Sequence, residues 1–130
     1  MSRTLTCLAA AAWWAIVLLS SGEGASAEFT KQLLKSLLGL EGGALDLASL
    51  ILRMSGHVMY YAILTGLLTA SFRSVSVAVA VAGGTAVLDE ARQSLFATRS
   101  GTPADLVYDG AGILVAVLLL RRYSRAGRFT

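Results

Sequence analysis

Residues 88–112 read LDEARQSLFATRSGTPADLVYDGAG. Four carboxylates (Asp89, Glu90, Asp105, Asp109), two arginines (Arg92, Arg99) and Gln93 stand here between two apolar runs. Beside membrane-spanning helices, charges this dense cost several kcal/mol each unless they pair or face water. They are therefore tied to a site rather than scattered, and the flanking chain is the scaffold that holds them at one face of a bilayer. Arithmetic on the neighbouring runs supports this. The uncharged stretch from Ser74 to Leu88 falls short of the ~20 residues a spanning helix needs, so Asp89 and Glu90 lie near or within the membrane boundary, facing protein. Gly110 to Leu120 is shorter still, which draws Asp109, with Asp105 beyond it, into the next helix. Pro103 suits the first turn of that helix.

Composition agrees with a membrane protein. Of 130 residues 55% are hydrophobic and only 15% charged, where a soluble domain is about a quarter charged. The length allows one domain, residues 1–130. A single cysteine, Cys7, excludes an internal disulfide framework and any CxxC metal site. The net charge of +3 is modest, with the excess in Arg121, Arg122, Arg125 and Arg128 directly after an apolar run. That placement fits an anchor against anionic lipid and argues against a nucleic-acid partner.

Working outward, the expected fold is all-α: a multi-pass transmembrane four-helix bundle with one short interfacial amphipathic helix. The spans fall at about 4–21, 46–71, 75–96 and 103–121. The first, uncharged between Arg3 and Glu23, has a competing reading as a cleaved signal peptide, because Arg3, the apolar run and Ala25-Ser26-Ala27 follow the three-part pattern. Over 29–40, Phe29, Leu33, Leu34, Leu37, Leu38 and Leu40 share one helical side and Lys31, Gln32, Lys35 and Ser36 the other. This segment reads either as a helix flat in the membrane interface or as a core-packing connector, and Gly42-Gly43 breaks it. In the second span Arg53, His57 and Tyr61 repeat every four residues and so form one stripe. Gly83-Gly84 and the Gly112 to Ala116 spacing suit close helix approach. Trp13 and Trp14 read as membrane-packing aromatics, and Tyr60 as an interhelical contact.

Positive-inside counting orients the helices with both termini cytoplasmic, which places Arg3, Arg73 and the tail arginines inside. Arg53 and His57, Asp89 to Arg99, and Asp105 and Asp109 then meet at one depth near the outer surface.

These residues resemble the VanZ-like family of small bacterial membrane proteins. RMSGHVMYYAILTGLL (53–68) is similar to the family's Arg/His/Tyr helix at Arg53, His57 and Tyr61. The 89–112 segment resembles its acid-rich segment and following Asp-x-x-x-Asp-x-x-Gly helix at Asp89, Glu90, Gln93, Phe96, Arg99, Asp105, Asp109 and Gly112. LLSSGEG (18–24) looks like its Leu-Ser-Ser turn. Met54 and Tyr60 depart from it, standing where lysine and glutamate are usual. The resemblance implies a four-helix integral protein of the bacterial cytoplasmic (inner) membrane. The family takes its name from a glycopeptide (teicoplanin) resistance protein.

Arg53, His57, Tyr61, Asp89, Glu90, Gln93, Arg99, Asp105 and Asp109 are thus the candidate ligand-binding or polar-network residues. His57 with the four acids would suit a hard cation such as Mg²⁺, but the spacing contains no HxxxH or ExxH pair and no metal is expected. A histidine beside carboxylates is chemically able to move protons, and Arg53, Arg92 and Arg99 to grip a phosphate. No nucleophile motif or phosphate-cradling loop accompanies them, so no catalytic residue and no cofactor is assigned. The preferred expectation is an outward polar pocket for a membrane-associated ligand, a lipid head group bearing phosphate being one form. The alternative is an internal salt-bridge network in an accessory subunit of a larger membrane complex. Expected partners are membrane lipids and, in the second case, that complex.

Overall fold

The computed structural model describes residues 2–20, 27–95 and 103–126. All secondary structure among them is helical: α1 (Arg3–Ser20), α2 (Ala27–Leu38), α3 (Gly42–Phe72), α4 (Val75–Gln93) and α5 (Pro103–Ala126). α1 and α3 are long and apolar enough to cross a membrane. α4 and α5 match the expected third and fourth spans in position, but Asp89, Glu90 and Arg92, and Asp105 and Asp109, dilute their apolar content.

The helix boundaries follow local chemistry. α2 ends at Gly39, whose positive φ of 63° and N–H bond to the Lys35 carbonyl (2.9 Å) make a left-handed stop. Gly42-Gly43 therefore does not break α2; it opens α3 behind the extended Glu41. α3 stops at Arg73, a non-glycine residue at φ 55°, ψ 27°, which donates its N–H to the Thr69 carbonyl at 2.8 Å. Ser74 then caps α4 by accepting the Val77 N–H, so two residues turn the chain between its two central helices. α4 ends at Gln93, short of residue 96. α5 continues past residue 121 to Ala126.

α3 is the hub and packs against each of the other four helices, most extensively α5. Paired residues give the directions. Arg53 with Asp105 and His57 with Asp109 make α3 and α5 parallel. Trp14 with Thr85 and Arg92 with the Leu18 carbonyl make α1 and α4 parallel to each other. The tight Arg73-Ser74 turn sets these two pairs in opposite directions.

Small side chains fill the interior. Ala78, Ala82 and Ala86, four apart on α4, are buried beside Leu64 and Leu68 of α3. Gly112 of α5 lies so close to α3 that a Cβ there would stand 2.3 Å from the Val58 carbonyl oxygen. Gly83 and Gly84 have no such neighbour; the close approach expected of them is made by the alanine stripe instead. The bulky aliphatics point outward: Leu8, Leu19, Leu50, Leu88, Val107 and Leu118 are all exposed. Thr65, Asp89, Gln93, Asp105 and Asp109 are buried. The interior is thus more polar than a water-soluble core, and the surface more apolar.

α2 lies against the N-terminal half of α3 and is joined to it through solvent-exposed ion pairs. Lys31 pairs with Asp46 at 2.6 Å and Lys35 with Glu41 at 3.0 Å. The hydrogen bond to Asp46 holds the Lys31 ammonium above the usual lysine range. Phe29, Leu33, Leu37 and Leu38 are all exposed. A helix packed into a core would bury that face, so the core-connector reading does not describe α2.

Candidate functional site

The four-residue spacing of Arg53, His57 and Tyr61 aligns them along α3, and the same spacing aligns Asp105 and Asp109 along α5. Because the two helices run parallel and in contact, the stripes meet rung by rung. Arg53 Nη2 lies 3.6 Å from Asp105 Oδ2, near enough for charge pairing but too long for a hydrogen bond. His57 Nδ1–H donates to Asp109 Oδ1 at 2.7 Å. The next rung is Gly112 against the Val58 backbone, where no side chain keeps the helices apart. Asp105 and Asp109 are both buried, and the His57 side chain is 15% exposed.

α4 supplies the third wall. Asp89, 3% exposed, accepts from Gln93 Nε2 at 2.8 Å and from Arg92 Nη2 at 3.2 Å. Arg92 also donates to the Leu18 carbonyl at the end of α1, so one guanidinium ties a carboxylate to a helix C-terminus. Glu90 is half-buried and within electrostatic reach of Asp105, Asp109, His57 and Asp89. α1 closes the remaining side. Trp13 Nε1 donates to the Tyr60 carbonyl and Trp14 Nε1 to Thr85 Oγ1, both at 3.0 Å. The Trp13 and Tyr60 rings stack at a tilt, with centroids 5.9 Å apart.

These walls enclose a cavity of about 310 Å³ between α1, α2, α3 and α4, with Arg53, His57, Tyr60, Tyr61 and Asp89 among its lining residues and Thr30 of α2 at its edge. Two of the lining residues hold a buried polar atom without a hydrogen-bond partner, Tyr61 Oη and Arg53 Nε, and so do Gln93 Oε1 and Asp105 Oδ2 elsewhere in the constellation. A buried polar atom left unsatisfied costs about 1–3 kcal/mol. A site holding several of them is paired within itself only in part.

Of the nine residues expected from the sequence, eight fall in this constellation; Arg99 lies outside the described residues. Arg53, His57, Asp105 and Asp109 form the α3–α5 ladder, Asp89 and Gln93 a second pair on α4, and Tyr61 and Glu90 lie within electrostatic reach of both. Among the described residues no three His, Cys, Asp or Glu side chains converge to hold a metal ion. Sequence reasoning missed the bridging role of Arg92 and the donor roles of Trp13 and Trp14. The signal for the tryptophans was available, since an indole N–H in an apolar helix needs an acceptor. No family model, no curated protein and no solved structure matches this chain, so the site is read from its own geometry.

Proposed function

We propose that this chain is a multi-pass protein of the bacterial inner membrane, built as a four-helix bundle of VanZ-like type with α2 lying in the interface. Its polar cavity binds a membrane-associated ligand. The observation that carries this reading is a cavity lined by Arg53, His57, Tyr61 and Asp89, with unsatisfied polar atoms around it, inside a shell of outward-facing aliphatic side chains. A largely apolar recess that carries a few charged side chains and opens among apolar helices suits an amphiphile better than a water-borne solute. The order of Arg53, His57, Asp89, Glu90, Gln93, Asp105 and Asp109 supports the family resemblance.

A second reading has its own support. Arg53–Asp105, His57–Asp109 and Arg92–Asp89 pair within the chain, as in an accessory subunit whose buried charges only set helix register. Gly56 separates the two. It lines the cavity, and a Cβ there meets only the Tyr60 ring at 3.9 Å. Gly56→Leu therefore fills the recess without breaking an ion pair. After gentle detergent extraction, the pocket reading expects the Gly56→Leu protein to stay folded and lose a lipid that the wild type retains. The subunit reading expects an undiminished stoichiometric protein partner and no change in lipid. Asp109→Ala, by contrast, strips His57 of its partner and reduces folded yield under both.

A further inference from the structure

His57 is the one histidine in the chain, and only one of its ring nitrogens is engaged. Nδ1–H donates to Asp109 Oδ1 at 2.7 Å, and Asp109 is 3% exposed, so a buried carboxylate fixes the tautomer and orientation of the ring. Among the described residues Nε2 has no hydrogen-bond partner, yet it is not one of the buried unsatisfied atoms. It is therefore open to an incoming group. The cavity fixes the side from which that group arrives. His57 lines the cavity, whereas α5, which carries Asp109, supplies none of the described lining residues. The ring thus turns its Nδ1 edge to α5 and meets the cavity with the edge that carries Nε2.

The rest of the wall limits what can approach. Asp89 already accepts from Gln93 and Arg92, Arg53 pairs with Asp105 of α5, and Tyr61 Oη is buried. Val17 and the Tyr60 ring add apolar surface, and Leu52 and Met59, both about half exposed, continue it to the outside of the bundle. A ligand here lays an apolar body along these side chains and brings one polar group to His57. An ammonium would meet no uncommitted carboxylate in the lining and would lose its hydration without compensation. An anionic oxygen would face the Nε2 lone pair of the neutral ring and gain no hydrogen bond there. A neutral O–H donates to that lone pair and brings no charge into the bundle.

Resting on the pocket reading above, we propose that the cavity takes an uncharged, alcohol-type amphiphile whose hydroxyl donates to His57 Nε2. Asp109 acts as a positioning residue, and Val17, Leu52, Met59 and Tyr60 hold the apolar body. The test uses the full chain with ¹⁵N-labelled histidine in phosphatidylcholine nanodiscs, whose head groups carry no hydrogen-bond donor. The probes are decanol, its methyl ether, decanoate and decylamine. The single imidazole gives one pair of ring resonances. Decanol is expected to move the Nε2 resonance saturably from its lone-pair position while Nδ1 stays protonated. Its apparent affinity, read by competition, should exceed that of the ether about fivefold, the factor of one neutral hydrogen bond. Gly56→Leu, which fills the recess, should abolish the shift. His57→Phe would strand Asp109 and endanger folding, so the wild-type resonance carries the test. An Nε2 already protonated at neutral pH before any probe is added overturns the proposal, as does tighter binding of decanoate or decylamine. Equal affinity for decanol and the ether, both lost in Gly56→Leu, overturns the hydroxyl assignment and leaves the pocket reading standing. A decanol shift that survives Gly56→Leu overturns both, since His57 then meets the alcohol outside the cavity. Dioleoylglycerol added to the discs distinguishes the sources. The same shift supports a membrane lipid as occupant; a shift with decanol alone supports a single-chain alcohol.

Discussion

A Cβ on Gly112 would stand 2.3 Å from the Val58 carbonyl oxygen, 3.0 Å from its carbon and 3.1 Å from the Ala62 nitrogen. All three are backbone atoms, so no rotamer change relieves the clash and the helices themselves must part. The same movement would stretch the 2.7 Å His57–Asp109 contact one turn away. Gly112→Ala is therefore expected to destabilise the protein by about 3 kcal/mol, the upper range for overpacking, and to weaken His57–Asp109 coupling. Gly84→Ala, with open space at its Cβ, should be neutral or slightly stabilising through helix propensity. Thermal unfolding of the two variants in one detergent checks the contrast; equal behaviour would remove the claim of close α3–α5 contact. At this scale the stripe of Arg53, His57 and Tyr61 was legible because helical spacing alone puts such residues on one side. Which atoms stay unsatisfied was not legible. The orphan Tyr61 hydroxyl depends on where α4 and α5 place their carboxylates, and the four-residue spacing does not specify that placement.

Helix boundaries test which local signals outweigh others. Two glycine sites compete to end α2, and Gly39 wins because a left-handed residue there bonds back to Lys35 while Gly42 is left to open α3. Composition alone favoured the Gly-Gly pair, since doublets mark breaks more strongly than single glycines. The α3–α4 turn is the reverse case, legible as a very short loop around Arg73 but built with an unexpected residue. Arg73 holds φ 55°, where a side chain costs about 1–2 kcal/mol. Replacing it with glycine relieves that strain, while the greater unfolded freedom of glycine returns about 0.5–1 kcal/mol. Arg73→Gly should thus stabilise the folded chain by about 0.5–1 kcal/mol, read as a raised midpoint in chemical denaturation. A lowered midpoint would mean that the Arg73 side chain contributes more than its backbone strain costs.

Across the whole molecule, charge is sorted by end. The antiparallel arrangement puts Arg3, the Arg73 turn, Arg121 and Arg122 at one end, and none of these has an ion-pair partner among the described residues. At the other end Lys31, Lys35, Arg53 and Arg92 each face an acid. The two ends thus differ in whether their cations are paired, and the proposed membrane orientation rests on the end that carries Arg3, Arg73, Arg121 and Arg122. The exposed leucines of α2 sit at the paired end, where Lys31 pairs with Asp46 of α3 and Lys35 with Glu41. The sequence foretold this polarity because the arginine positions depend only on where the apolar runs stop. It did not foretell which side of α2 would face α3, since both faces of an amphipathic helix have something to bind and only tertiary contact selects one. The orientation is open to a direct test, because the single Cys7 can be replaced to give a cysteine-free background. Single cysteines then go to position 41, ahead of α3, and position 124, in the last turn of α5. In intact cells a membrane-impermeant maleimide should label Glu41→Cys and spare Ser124→Cys, and lysis should expose both. Labelling of Ser124→Cys from outside would invert the molecule and turn the cavity lined by Arg53, His57 and Asp89 toward the cytoplasm.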